Sequence, residues 1–276
     1  MDRPYQWTFI ILITAAGLCA EPNVSGISDQ TASFMQSYLP NLEPYEPMYF
    51  LLGADPSRTK FQLSLKYRLF NRDGSLGARW PWVTGLYFGY TQTSFWDLDA
   101  PSEPFEDTSY KPELLFRSDG LGLRLPYVVG SNVQLGLKHE SNGRDGQASR
   151  STNFAYIRSQ WGFYDKKTGL GLLVMPNLWL YLLNDKEHNR DLPDYRGYGS
   201  LDLKIGFPKS LVLGTCIRVA QEGLSTQIDL TYPLHRFLAG NLDLYLHVQY
   251  VNCLAESLLY YQERTKAFRI GFAVVR

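Results

Sequence analysis

In 60-KFQLSLKYRLF-70, Phe61, Leu63, Leu65, Tyr67 and Leu69 alternate with Gln62, Ser64, Lys66 and Arg68. Successive side chains of an extended chain point to opposite faces, so this period of two predicts a β-strand with one apolar and one polar face. The same period returns along the chain. Leu201, Leu203, Ile205 and Phe207 alternate with Ser200, Asp202 and Lys204. Ile228, Leu230 and Tyr232 alternate with Gln227, Asp229 and Thr231. Leu242, Leu244, Leu246, Val248 and Tyr250 share one phase, and Phe268, Ile270, Phe272 and Val274 close the chain in the same way.

The runs are about ten residues long, the length a tilted membrane strand needs and longer than the five or six residues of an ordinary soluble strand. Twelve such segments are predicted, near 47–54, 59–70, 82–97, 110–118, 131–140, 152–163, 168–180, 196–207, 209–220, 223–232, 241–251 and 266–276. An even number suits a twelve-stranded antiparallel transmembrane β-barrel of the bacterial outer membrane. Aromatic clusters near strand ends (Tyr87, Phe88 and Tyr90; Phe95 and Trp96; Trp161, Phe163 and Tyr164; Tyr260 and Tyr261) read as interfacial girdles. With both ends on the periplasmic side, the connections near 164–167 and 208 are periplasmic and short. Those near 181–195 and 251–265 then face outward and are long, and 141–151 also lies on the outer side.

Composition agrees. The chain has 276 residues, 45% apolar and 14% aromatic, which excludes disorder. Lys+Arg and Asp+Glu both number 27, so no basic excess exists to bind nucleic acid. No apolar run reaches the ~18 residues of a spanning helix. The stretch 9-FIILITAAGLCA-20 follows Arg3 and precedes Glu21-Pro22, so residues 1–20 read as a signal peptide. Leu18 before Cys19 disfavours a lipoprotein. Residues 21–46 read as an extended N-terminal arm and 47–276 as the barrel. Cys216 and Cys253 are too few for a disulfide framework.

The segment 131-SNVQLGLKHESNGRDGQASRSTNFAYIRSQW-161 breaks the pattern. Val133, Leu135 and Leu137 form an apolar face that continues into His139 and Ser141. Asn153 takes the outward phase on the next strand. Polar groups facing lipid are costly, so they mark a candidate functional site. Residues i and i+2 lie roughly 6.6 Å apart along one face. His139 can therefore serve as general base to Ser141, with Asn153 fixing the imidazole tautomer. Glu140 points inward and takes no part. By phase alone, polar residues at an interfacial strand end are the somewhat stronger reading. His188, His235 and His247 show no metal spacing, with His247 lining the lumen. Asp185 to Asp191 reads as a solvated charged loop.

The run 139-HESNGRDGQASRSTN-153 resembles the active-site signature of the outer-membrane phospholipase A family. The similarity extends to 90-YTQTSFWDL-98, 104-PFEDTSYKPELLF-116, 196-RGYGSLDLKIGF-207 and 255-AESLLYY-261. The resemblance implies a twelve-stranded barrel with its catalytic residues on the outside of the wall. It implies a serine hydrolase acting on phospholipid acyl esters, with His139 as base, Ser141 as nucleophile and Asn153 as orienting residue. Gly143 would supply an oxyanion N–H. It further implies a calcium ion held by Arg144, Gly146 and Ser149, with Ser102 contributed from the other subunit of an active homodimer, and Gln92 in the dimer contact. The sequence departs from the family in two places. Asp145 stands one position early, leaving Gly146 at the expected site, and the chain ends in Arg276 rather than an aromatic. The competing reading is a non-enzymatic pore or structural barrel; a decayed active site is disfavoured because His139, Ser141 and Asn153 are all present.

Overall fold

The fold is seen in a computed structural model that describes residues 41–55, 58–118, 120–122, 127–185, 187–236 and 242–276. The expected signal peptide 1–20, and the arm up to residue 40, lie outside the described residues.

The strands are β1 (Leu42–Pro44), β2 (Met48–Asp55), β3 (Arg58–Arg68), β4 (Leu86–Asp97), β5 (Phe105–Arg117), β6 (Val128–Ser141) and β7 (Ser151–Tyr164). They continue as β8 (Gly171–Asn184), β9 (Gly199–Gly206), β10 (Val212–Ala220), β11 (Gly223–Pro233), β12 (Tyr245–Leu254) and β13 (Arg264–Val275). From β2 onward each strand pairs antiparallel with its sequence neighbour, and β13 returns to β2, so the sheet closes on itself. Closure leaves no unpaired edge, a condition that lipid imposes on any sheet crossing it. No helix among the described residues is long and apolar enough to cross a membrane.

Both β1 and β2 pair with β3, β1 opposite Tyr67–Leu65 and β2 opposite Gln62–Lys60. They lie end to end as a single wall strand, so the barrel has twelve staves. The last part of the expected arm is therefore wall, and the barrel begins at Leu42 rather than at residue 47. Pro44 and Pro47 lack an N–H and interrupt the ladder between the two pieces. Side chains bridge the gap: Glu46 N–H donates to Ser64 Oγ at 3.0 Å and Gln62 Nε2 to Pro47 O at 2.8 Å.

The two faces are inverted relative to a soluble protein. Leu63, Leu135, Leu137, Leu180 and Phe272 are exposed on the outside, while Lys60, Glu113, Gln134, Glu140, Gln249 and Arg269 are buried inside. The lumen is crossed by a polar network. Lys138 meets Glu113 at 3.0 Å, Arg158 meets Glu46 at 2.6 Å, and Lys60 and Arg269 both reach Glu256 at 3.0 and 2.7 Å. His247 lines the lumen as expected, with Nε2 2.8 Å from Asp229 Oδ1. The packed lumen leaves Gly136 no room for a Cβ, because the Tyr156 ring lies 2.3 Å from where one would stand.

Four expectations need correction. The apolar run at 82–85 is a 3₁₀ turn (Pro81–Gly85) after the short helix α1 (Ser75–Arg79), not strand. β5 starts at Phe105, five residues before the expected 110, because Asp107 faces the lumen and accepts from Ser257 Oγ and Leu259 N–H. The aromatic girdle is only partial. Tyr87 and Phe95 point inward, where Lys66 and Arg68 stand 4.9 and 4.6 Å from the Tyr87 ring centre and Arg269 5.8 Å from that of Phe95. Tyr261 packs with Leu192 and Leu258 in a small apolar cluster. Finally, the loop-length asymmetry holds at the four named connections, with 165–170 and 207–211 short and 185–198 and 255–263 long, but not all round the barrel: β10 and β11 are joined by residues 221–222 alone at the end expected to carry long loops, and residues 69–85 span the opposite end.

Candidate active site

β6 and β7 pair in register so that His139 sits directly opposite Asn153. His139 Nδ1 lies 2.8 Å from Asn153 Oδ1. The amide orientation follows from its other end, where Asn153 Nδ2 donates to Leu183 O on β8 at 3.2 Å. With the NH2 so committed, the oxygen faces the imidazole and must accept from it. Nδ1 then carries the ring proton and Nε2 keeps the lone pair a base requires. Ser141 stands two residues along β6 on the same outward face, beyond Leu135 and Leu137. Among the described residues no hydrogen bond joins Ser141 to the imidazole. Glu140 points the other way, is buried, and accepts from Arg196 Nη1 at 2.6 Å.

The connection 142–150 folds around Asn142, which is buried. Its Nδ2 donates to Ala148 O at 2.8 Å, and its Oδ1 accepts from the N–H groups of Arg144 and Arg150 at 3.3 and 3.0 Å. Arg144 reaches back to the start of β5, donating to Phe105 O at 3.3 Å and to Glu106 O. Gly143 and Gly146 both sit at positive φ, +67° and +55°. Gly146 O accepts from Ser149 N–H at 3.0 Å. Among the described residues, Arg144 O and Ser149 Oγ accept no hydrogen bond from the chain. Ser102 stands apart from these three on the β4–β5 connection, at φ +69°, and no hydrogen bond joins it to them among the described residues.

A second staple lies behind β7. Asn189 is fully buried; its Oδ1 accepts from Ser151 N–H and its Nδ2 donates to Ser151 O, both at 3.1 Å. The 185–198 connection is thus fastened to the strand that carries Asn153, and it is not the merely solvated loop expected. It holds the short helix α2 (Leu192–Arg196), which supplies Arg196 to Glu140. At its middle Asp191 accepts from Tyr261 Oη, and from Gln262 Nε2 at 2.7 Å. Burial pushes the Asp191 carboxyl up, but these two bonds outweigh it and hold it below the usual carboxylate range. Neither Asn142 nor Asn189 was singled out by sequence reasoning as a support, because an Asn in a loop is the commonest of turn residues and carries no period.

Gln92 faces outward on β4 within a polar ladder: Tyr90 Oη donates to its Oε1 at 3.0 Å, and its Nε2 donates to Ser94 Oγ at 3.2 Å. Ser94 in turn accepts from Thr108 Oγ1 at 3.0 Å.

Known proteins resemble this chain. Residues 30–274 match the phospholipase A1 family. A phospholipase A1 of Proteus vulgaris is 35% identical over 238 residues, 81% of this chain and 71% of that protein. That of Escherichia coli K12 is 30% identical over 232 residues, 79% of this chain and 70% of its own length. Among solved structures, outer membrane phospholipase A from Escherichia coli superposes with a TM-score of 0.69 at 25% identity, covering 85% of this chain and 98% of that one. A Salmonella typhi outer membrane phospholipase, described as a dimer with bound calcium, gives the same score and identity over 89% and 96%. A further Escherichia coli structure is described as an active-site mutant in which an asparagine is replaced by alanine. A closed twelve-stave barrel of the bacterial outer membrane, matched over nearly its whole length, makes this chain a member of the phospholipase A1 family.

Proposed function

We propose that this protein hydrolyses the acyl esters of phospholipids, at both glycerol positions and on lysophospholipids, through Ser141, His139 and Asn153. The observation that carries the reading is the 2.8 Å contact between His139 Nδ1 and Asn153 Oδ1 on the outward wall, with Ser141 on the same face. His139 Nε2 takes the Ser141 Oγ proton as Oγ attacks the ester carbonyl. The same nitrogen then returns the proton to the departing glycerol oxygen, leaving an acyl group on Ser141. Water attacks that acyl-enzyme with its proton again passing to Nε2, and Ser141 is regenerated as the fatty acid leaves. Asn153 acts as a neutral counterpart of the usual aspartate, holding the tautomer without adding charge. Gly143 N–H donates to the oxyanion that forms on the carbonyl.

The donor set of the 142–150 loop is oxygen throughout, which suits a hard divalent cation such as calcium. Arg144 O, Ser149 Oγ and the carbonyl of Gly146 would hold it, joined by Ser102 of the partner subunit. Bound there, calcium supplies positive charge beside the developing oxyanion. The calcium-bound dimer of the Salmonella typhi relative supports this, as does the polar ladder around Gln92 on an otherwise apolar face. A homodimer would then be the active form, with phospholipid arriving sideways from the outer leaflet.

The pore reading is weaker, because ion pairs and Tyr156 cross the lumen. The test is acyl release from phospholipid in detergent micelles with calcium. Ser141→Ala is expected to drop to background, and a sulfonyl fluoride to label Ser141 alone. Wild-type activity in Ser141→Ala overturns the reading.

A further inference from the structure

On the outward face of β13, Val274, Phe272, Ile270 and Phe268 form an exposed apolar row, and the next two residues in the same phase are Lys266 and Arg264, exposed as well. The four apolar residues cover roughly 20 Å of strand. On a tilted strand the two cations therefore stand where hydrocarbon gives way to headgroups. They do so in the leaflet that Ser141 faces, because β6 ends and β13 begins at the same end of the barrel.

Lys266 stands opposite Asn252 in the ladder, and Asn252 opposite Thr226, so one outward row over three strands is polar. The row beneath it, Phe268, Tyr250 and Ile228, is apolar and exposed. Arg264 lies down across this face. Its Nη1 donates to Leu224 O at 2.9 Å and to Asn252 Oδ1 at 3.1 Å, and its Nη2 stands 2.9 Å from the point where a Cβ on Gly223 would be. The guanidinium is thus fixed on one side and keeps its Nη2 donors on the other. Among the described residues Nη2 makes no hydrogen bond, and neither Arg264 nor Lys266 has a carboxylate within ion-pair distance. The luminal cations Lys60, Lys138, Arg158 and Arg269 differ, since each meets a carboxylate of the chain. A charge on the lipid-facing wall is costly unless paired, and these two find no pair within the protein.

We propose that Arg264 and Lys266, with Asn252 and Thr226 beside them, bind the phosphate of an anionic membrane lipid whose acyl chains run down over Phe268, Ile270 and Tyr250. A guanidinium matches a pair of phosphate oxygens, and a lysine adds a point charge. The occupant is a lipid rather than free phosphate, because the cations end an apolar row continuous with the lipid-facing wall, where basic side chains meet anionic headgroups. β13 lies six staves from β7 in either direction round the ring of twelve. The site is therefore across the barrel from His139, Ser141 and Asn153, and it does not rest on the hydrolase reading.

The test uses the full chain, refolded in zwitterionic detergent without calcium and titrated with ether-linked phosphatidylglycerol, which has no ester to cleave. Native mass spectrometry counts the lipid retained. One phosphatidylglycerol is expected to be held in preference to ether-linked phosphatidylcholine. Its apparent affinity is expected to fall at least about fivefold in Lys266→Gln and in Arg264→Gln, and to be unchanged in Lys167→Gln, an exposed lysine at the other end of the barrel. Lys266 makes no side-chain bond among the described residues, so its variant reports even where loss of the Arg264 bonds to Leu224 and Asn252 disturbs the strand end. Equal retention of the two lipids, or equal affinity in Lys266→Gln and the parent, overturns the proposal. Saturable binding of inorganic phosphate alone, tighter than about 10 mM, also overturns it by making the site one for a free anion. Lipid hydrolysis with calcium is expected to persist in Lys266→Gln, which separates failure here from failure of the hydrolase reading.

Discussion

The edge of the Tyr110 ring lies 2.9 Å from the point where a Cβ on Gly143 would stand. Tyr110 is paired with Ser141 across β5 and β6, so the aromatic that flanks the serine also closes the space beside the next turn. Gly143 is doubly constrained, since its φ of +67° is itself costly for any residue with a side chain. Gly143→Ala is expected to retain the barrel, because the position is in a connection, yet to displace the N–H proposed as oxyanion donor. Loss of one oxyanion donor lowers kcat by about 10²–10³. Acyl release and heat-dependent gel mobility, measured on the same preparation, separate the two effects. An active Gly143→Ala removes this glycine from the oxyanion role.

Asn153→Ala deletes the acceptor for His139 Nδ1 and frees the ring to rotate and to change tautomer. Misplacement of a base by about 1 Å costs on the order of 10² in rate. The expected outcome is a fall of that size in kcat with KM little changed, and partial recovery in Asn153→Asp, which restores an acceptor. Equal activity in Asn153→Ala and the parent would show that the imidazole is oriented by something else.

The strands were legible because a barrel wall repeats one rule, apolar outward and polar inward, for its whole circumference. β6 and β7 illustrate this, as the phase of Leu135 and Leu137 places His139 on the lipid side and Glu140 in the lumen without reference to any partner. The rule failed where a residue served another element. Asp107 faces inward to anchor Ser257 and Leu259, which hid the first part of β5. Tyr87 and Phe95 are aromatic for the sake of luminal cations, and so mimicked a girdle. Partners far apart in sequence, such as Glu140 and Arg196 or Tyr45 and Tyr156, leave no trace in local periodicity.

Asn142 makes three hydrogen bonds that shape the loop between Ser141 and Ser149. Each is worth about 1 kcal/mol, more where a buried donor is left unpaired. Asn142→Ala is expected to loosen the loop rather than the barrel. The proposed calcium ligands Arg144 O and Ser149 Oγ then lose their fixed spacing, so the calcium concentration giving half-maximal activity is expected to rise while activity at saturating calcium recovers in part. A calcium titration of acyl release reads this directly. An unchanged calcium midpoint would detach Asn142 from the cation site.

Glu256 sits in the connection after β12 and plugs the lumen between Lys60 and Arg269. Burial alone raises its pKa, but the two cations outweigh burial and hold it down at about 2, against an ordinary 4.5. A carboxyl depressed by folding stabilises the folded state fully above its unfolded value and loses that contribution as pH falls toward the folded one. The Glu256 contribution to stability is therefore expected to be flat above about pH 5 and to decline between about pH 4.5 and 2, by on the order of 3 kcal/mol. Glu256→Gln, which cannot ionise, should be less stable at pH 7 and should flatten that decline. Thermal unfolding of both proteins across this range, followed by loss of gel compactness, checks it. A decline of the same size in Glu256→Gln would assign the acid sensitivity to other carboxylates.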